Sequence, residues 1–266
     1  AIAWSVILWI VCVDRPRLGF SLASMQDNWR FGLSIVSVTA LAFSLQRTFM
    51  LLVGTTLGST AAGYLNLAFR TIDMLRDVVG RAVLQVSLPL FSRLQSDRGA
   101  LERVYVNAVE FTAAISFPLF LGLLACTPQL VGSVYGAQWA PSAPYFAALA
   151  ALTLVYFTRL YSLNVVTAVD KPHYSLPATM LSLAVILVGM LIVGRYSLPA
   201  AACVWAVATL VPVPLDIAML RRASGIAAHR QFTGVTRVLA ICVAMVLAIR
   251  AVLPALPAHW TPAAQL

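Results

Sequence analysis

YLNLAFRTIDMLRDVVGRAVLQVSLPLF, residues 64–91, decides the reading of this chain. It is an apolar run of helix-compatible residues that carries opposite charges through its middle. Arg70, Asp73, Asp77 and Arg81 recur at steps of three or four, so on a helix they share one face with Asn66. A charge in contact with lipid is costly, and such residues turn toward a bundle interior or a water-filled cavity. The stretch therefore predicts a membrane helix that lines a polar path.

Composition agrees. Hydrophobic residues make up 61% of the 266 and charged residues only 10%, and the mean hydropathy is +0.89. A soluble domain carries roughly 25% charge. A chain this apolar is solvated by lipid, where only segments that satisfy their own backbone hydrogen bonds survive. The net charge of +9 is not a nucleic-acid signature. The basic residues fall mostly in short connections, and no aromatic-basic surface stripe accompanies them.

Apolar segments near 30–53, 63–92, 105–127, 141–166, 174–194, 198–220 and 235–254 predict seven complete spans, each near the ~20 residues that crossing requires. Gly54 and Gly58, Pro128 and Gly136, Pro172, and Gly225 with Gly234 punctuate them, while Pro118, Pro212 and Pro214 fall inside spans as candidate kinks. The run AIAWSVILWIVCV at 1–13 is too short to span and has neither the basic start nor the cleavage site of a signal peptide. It reads as the end of a helix cut in two, and the chain as the C-terminal part of a longer membrane protein.

Loop charge tests that map. Arg15, Arg17, Arg30, Arg93, Arg98, Arg103, Lys171, Arg221, Arg222, Arg230 and Arg237 occupy alternate connections, whereas the intervening ones carry only Arg195 and Arg250. Such asymmetry places the basic loops in the cytoplasm. Tyr135 and Trp139, with Trp29 opposite, suit interfacial belts. No soluble domain, linker or internal repeat interrupts the pattern.

Five arginines remain outside these loops: Arg47, Arg70, Arg76, Arg81 and Arg159. A guanidinium stays charged at any depth and binds phosphate bidentately, so an intramembrane cluster suits an anionic headgroup. The plainer alternative is internal pairing, since Arg70 with Asp73, Asp73 with Arg76, and Asp77 with Arg81 all have helical pair spacing. The two readings are compatible. Arg159 either joins a polar wall or snorkels to an interface. Glu110 and Asn107 read as a solvated helix end, and Asp216 as a partner of Arg221 or Arg222. Asp73 and Asp77 are the only acids deep enough for a proton or sodium site, and both have Arg neighbours. Cys12, Cys126, Cys203 and Cys242 stand singly, as do His173, His229 and His259, so no metal-ligand spacing exists. No catalytic constellation or phosphate-cradling loop is present, and nothing calls for a cofactor.

Three motifs carry a resemblance. Ala62, Gly63, Tyr64, Leu67, Ala68 and Arg70 form one, and Pro89, Phe91, Ser92, Arg93, Leu94, Gln95 and Asp97 form the second. Pro118, Gly122, Leu123, Tyr135, Gly136, Trp139 and Ala143 form the third. Over about 54–145 the chain resembles the bacterial polysaccharide exporters of the oligosaccharidyl-lipid flippase superfamily, the O-antigen and colanic-acid flippase type. That resemblance implies an all-α, polytopic membrane helix bundle of two pseudo-symmetric six-helix lobes with extra C-terminal helices. This chain would supply the end of a truncated helix (1–13), the second lobe (30–220) and an extra helix (235–254), its N-terminal lobe lying upstream. It implies a non-enzymatic protein of the bacterial inner membrane that moves undecaprenyl-pyrophosphate-linked oligosaccharide by alternating access. Arg47, Arg70 and Arg81 would then contact the headgroup, with Asn66, Asp73, Asp77, Arg76 and Arg159 as cavity wall. Many relatives carry Asp where this chain has Gln46, which bears on any ion coupling there. Two rivals stand beside this: a cation-coupled small-molecule antiporter of the same superfamily, and a membrane-embedded glycosyltransferase or polymerase using the same lipid-linked sugars.

Overall fold

The computed structural model describes residues 22–94, 97–169 and 171–252. The expected helix end at 1–13 lies outside them, as do Cys12, Arg15, Arg17 and His259. The chain divides into two compact units, Ala1–Leu33 and Ser34–Leu266. Of the first, the described residues form the opening turns of a helix. The second carries the bundle.

All regular structure among the described residues is helical, as a lipid-solvated chain requires. Helix α1 (Leu22–Leu57) and α2 (Ser59–Arg93) have 36 and 35 residues. The expected loop over 54–62 shrinks to Gly58, whose φ of 89° lies in the left-handed region open chiefly to glycine. Asp97 caps α3 (Arg98–Leu130), its carboxylate accepting from the Ala100 N–H at 3.0 Å.

Pro128 does not end α3 as expected. The helix runs through both Pro118 and Pro128 and passes into a π-turn at Val131–Tyr135. Lipid gives freed carbonyls no water, so the chain keeps helical geometry across a proline that would stop a soluble helix. A 3₁₀ turn at Ala137–Ser142 then leads into α4 (Ala143–Arg159) and the short α5 (Ser162–Ala168). After a second 3₁₀ turn at Pro172–Ser175 come α6 (Leu176–Gly189), a π-turn at Met190–Gly194 and α7 (Leu198–Leu210). The last two are α8 (Val213–Ser224) and α9 (Thr233–Val252). The expected span at 198–220 persists as one apolar segment, Leu198–Ser224, in which a turn at Val211 and Pro212 separates α7 from α8 where a proline kink was expected.

Five described segments are long and apolar enough to cross a membrane: Gly32–Leu57, Arg98–Tyr135, Ala137–Ala168, His173–Gly194 and Leu198–Ser224. Seven were expected. α2 has the length, but its charge ladder interrupts the apolar run, and the apolar helix Thr233–Ala244 is the short segment found within α9. The result is an all-α polytopic membrane bundle.

α4 packs against α2, α3 and α7, while α9 lies along α3. Phe49, Phe69 and Trp205 stack at 4.9–6.1 Å between ring centroids and join α1, α2 and α7. Phe43, Met74, Phe111 and Ile192 are exposed, an outer surface as apolar as the core. Burial from lipid into protein therefore gains little, and close packing decides stability. The Gly189 contact with Val204 is such a place. A Cβ there would lie 2.8 Å from a Val204 methyl, and the stiff valine has no rotamer to retreat to. Gly189→Ala is expected to cost about 1–3 kcal/mol as an overpacking change, read as a lower thermal-unfolding midpoint in detergent. Restoration by Val204→Ala would locate the clash at this crossing.

Candidate functional site: a charged face on helix α2

The helical pitch divides the ladder of α2 between two faces. Asn66, Arg70, Asp77 and Arg81 are exposed, together with Met74 and Val78, whereas Asp73 and Arg76 are half-buried. Asp73 thus sits at the edge of the face on which it was expected and turns inward.

The inward pair is a junction of three helices. Arg76 Nη1 donates to Asp73 Oδ1 at 3.0 Å, and Gln46 Nε2 of α1 donates to Asp73 Oδ2 at 3.0 Å. The Arg76 guanidinium lies 3.6 Å from the ring centre of Tyr156 on α4, a cation–π contact that strengthens as water is excluded. Nearby, the hydroxyls of Thr71 and Tyr135 are 2.8 Å apart, so Tyr135 ties α2 to the π-turn. Both carboxylate oxygens of Asp73 are committed and Arg76 is sandwiched. The pair holds α1, α2 and α4 in register.

The outward charges are looser. Arg81 Nη2 donates to Asp77 Oδ2 at 2.6 Å, with the two side chains 75% and 60% exposed. A helical pair of this kind contributes only about 0.3–0.5 kcal/mol. Arg47 and Arg70 are exposed and belong to none of the ion pairs among the described residues. Of the three pairings that spacing allowed, Arg70 with Asp73 does not form, because Arg76 and Gln46 already occupy that carboxylate. Arg47 projects from α1 between the exposed Phe43 and Leu51. An apolar helix that presents Arg70, Arg81, Asn66 and Asp77 outward cannot rest that face on hydrocarbon. It needs water, an ionic ligand or other protein against it.

Arg159 belongs elsewhere. It forms an ion pair with Asp216, in the first turn of α8, with the side chains 28% and 13% exposed. Its described ion pair is with this acid and not with the acids of α2. Asp216 correspondingly does not pair with Arg221 or Arg222. A carboxylate at a helix start also gains from the unsatisfied N–H groups there. Glu110 is likewise not simply a solvated end, since it meets Arg237 of α9 at 3.8 Å, and Glu102 meets Arg230 at 3.4 Å. Sequence reasoning missed Tyr156 and the Arg159–Asp216 pairing, for which local spacing offers no signal. Among the described residues, no group of three or more His, Cys, Asp or Glu side chains could hold a metal.

The family model described as "Polysaccharide biosynthesis protein" matches residues 1–144, which includes all of α1 and α2. The chain belongs to that family. It is similar to the teichuronic acid biosynthesis protein TuaB of Bacillus subtilis (strain 168), 27% identical over 150 residues, which are 54% of this chain and 30% of that protein. The lipopolysaccharide biosynthesis protein WzxC of Escherichia coli (strain K12) is 28% identical over 143 residues, 54% of this chain and 29% of that one. The succinoglycan biosynthesis transport protein ExoT of Rhizobium meliloti (strain 1021) is 27% identical over 143 residues, with the same coverage of 54% and 29%. The matches thus span under a third of each relative's length. No solved structure matches the chain significantly.

Proposed function

We propose that this chain forms one wall of a cavity through which a polyprenyl-pyrophosphate-linked oligosaccharide crosses the bacterial inner membrane during polysaccharide export. The exposed charged face of α2 carries the reading, with Arg70 in no ion pair among the described residues. A pyrophosphate cannot enter hydrocarbon bare, and fixed cations replace its hydration. Arg70 and Arg81, with Arg47 on α1, supply those cations, and Asn66 adds a neutral donor. The lipid tail stays in the bilayer while the headgroup passes along the polar wall.

The relatives support the substrate class, since their names attach them to the biosynthesis or transport of bacterial surface polysaccharides. In this reading 30–220 is the second six-helix lobe and 235–254 an extra helix. An upstream lobe closes the far side of the cavity, and the two lobes alternate access around it. The protein binds and moves its substrate without altering a covalent bond. A cation-coupled antiporter fits less well, because it needs a membrane acid unclaimed by arginine. Asp73, Asp77 and Asp216 each bond to one.

The test follows lipid-linked oligosaccharide on each leaflet of a strain that lacks its own flippase, complemented by the protein together with its upstream lobe. Arg70→Ala and Arg81→Ala, if inserted normally, are expected to leave the intermediate on the inner leaflet. Normal translocation in both would reduce the outward face to structural pairing.

A further inference from the structure

We propose that Asp77 is a built-in competitor for the anionic ligand at Arg81, keeping a bound headgroup from being trapped on α2. This inference rests on the headgroup reading of that face. The two acids of the ladder differ in what holds them. Asp73 is half-buried, with both carboxylate oxygens engaged by Arg76 and Gln46. Asp77 is exposed and has one bond, from Arg81 Nη2 at 2.6 Å.

Position makes the difference consequential. At 100° per residue, Arg70, Asp77 and Arg81 fall within about 40° of one another around α2, with Asp77 roughly 10 Å along the axis from Arg70 and 6 Å from Arg81. A diphosphate held by both arginines must therefore lie across the Asp77 carboxylate. The two anions compete for the same guanidinium. The diphosphate carries more charge and more acceptor oxygens, so it wins while bound. As it leaves, Asp77 recloses on Arg81, which never has to stand bare in a poorly hydrated cavity. A transporter needs this balance, since a site must release what it captures on every cycle. The opposite role, in which Asp77 merely aims Arg81 at the ligand, predicts the opposite sign.

The experiment measures farnesyl pyrophosphate binding to the protein with its upstream lobe in nanodiscs, at fixed low salt, alongside the leaflet assay. Asp77→Asn is expected to bind about twofold more tightly, the fold-change set by the weak exposed pair that the ligand no longer has to displace. The gain should appear in slower dissociation, with slower translocation. Asp77→Glu, which keeps the charge, should gain much less. Adding Arg81→Ala to Asp77→Asn should abolish the gain. Asp77→Asn binding equal to or weaker than wild type overturns the competitor role, provided Arg70→Ala and Arg81→Ala still weaken binding. If those two arginine variants bind as wild type does, the headgroup reading itself falls, and the competitor role falls with it.

Discussion

Arg159→Met is expected to destabilise the bundle by about 3–5 kcal/mol, and Asp216→Leu by a similar amount, while the double variant folds nearly as well as wild type. The reason lies in what each single change leaves behind. Arg159 and Asp216 are largely withdrawn from solvent where α4 meets α8. Removing one partner strands the other as an uncompensated charge, which costs far more than the pair's net attraction contributes. Replacing both with apolar groups of similar bulk removes the desolvation penalty along with the bond. A double-mutant cycle on thermal or denaturant unfolding in detergent measures this directly. Single variants that each lose less than about 1 kcal/mol would mean that water reaches the pair freely.

The second large effect is on transport. Arg70→Glu should lower translocation by about 100-fold with insertion and stability unchanged, and Arg70→Lys by roughly tenfold. Arg70 is exposed and belongs to no ion pair among the described residues, so the fold does not depend on it. A charged hydrogen bond is worth about 1.5–3 kcal/mol, or roughly one to two decades at 1.4 kcal/mol each, and reversal adds repulsion in a medium of reduced dielectric. Lysine keeps the point charge but loses the bidentate fork. Initial rates in the leaflet assay separate the three proteins. Equal rates for Arg70→Glu and wild type would remove Arg70 from the substrate path.

Much of this architecture was readable in the chain, because membrane helices announce themselves by long apolar runs. The ladder at 64–91 was readable too, since 3.6-residue periodicity fixes which charges share a face. Periodicity could not show what lies across from that face. Asp73 is claimed by Gln46, 27 positions away, and Arg76 by the ring of Tyr156 on another helix. Both are products of packing. Helix ends were misjudged where soluble-protein punctuation was applied to a lipid-solvated chain. Pro128 did not stop α3, and a single Gly58 served where a nine-residue loop at 54–62 was expected. Arg159 was ambiguous because its partner, Asp216, is distant in sequence and looked closer to Arg221 and Arg222.

The 35 residues of α2 make a rod about 52 Å long, against ~30 Å of hydrocarbon. Tilting alone cannot hide it, since even a 40° tilt leaves roughly 40 Å projected along the membrane normal. The charge ladder from Arg70 to Arg81 straddles the midpoint of Ser59–Arg93. On the proposed reading, such a rod is a lever with the headgroup at its fulcrum. A swing of 10° would shift one tip relative to the other by about 9 Å, yet the central charges would barely move. The two ends of α2 would then swing while the central charges keep hold of the proposed ligand.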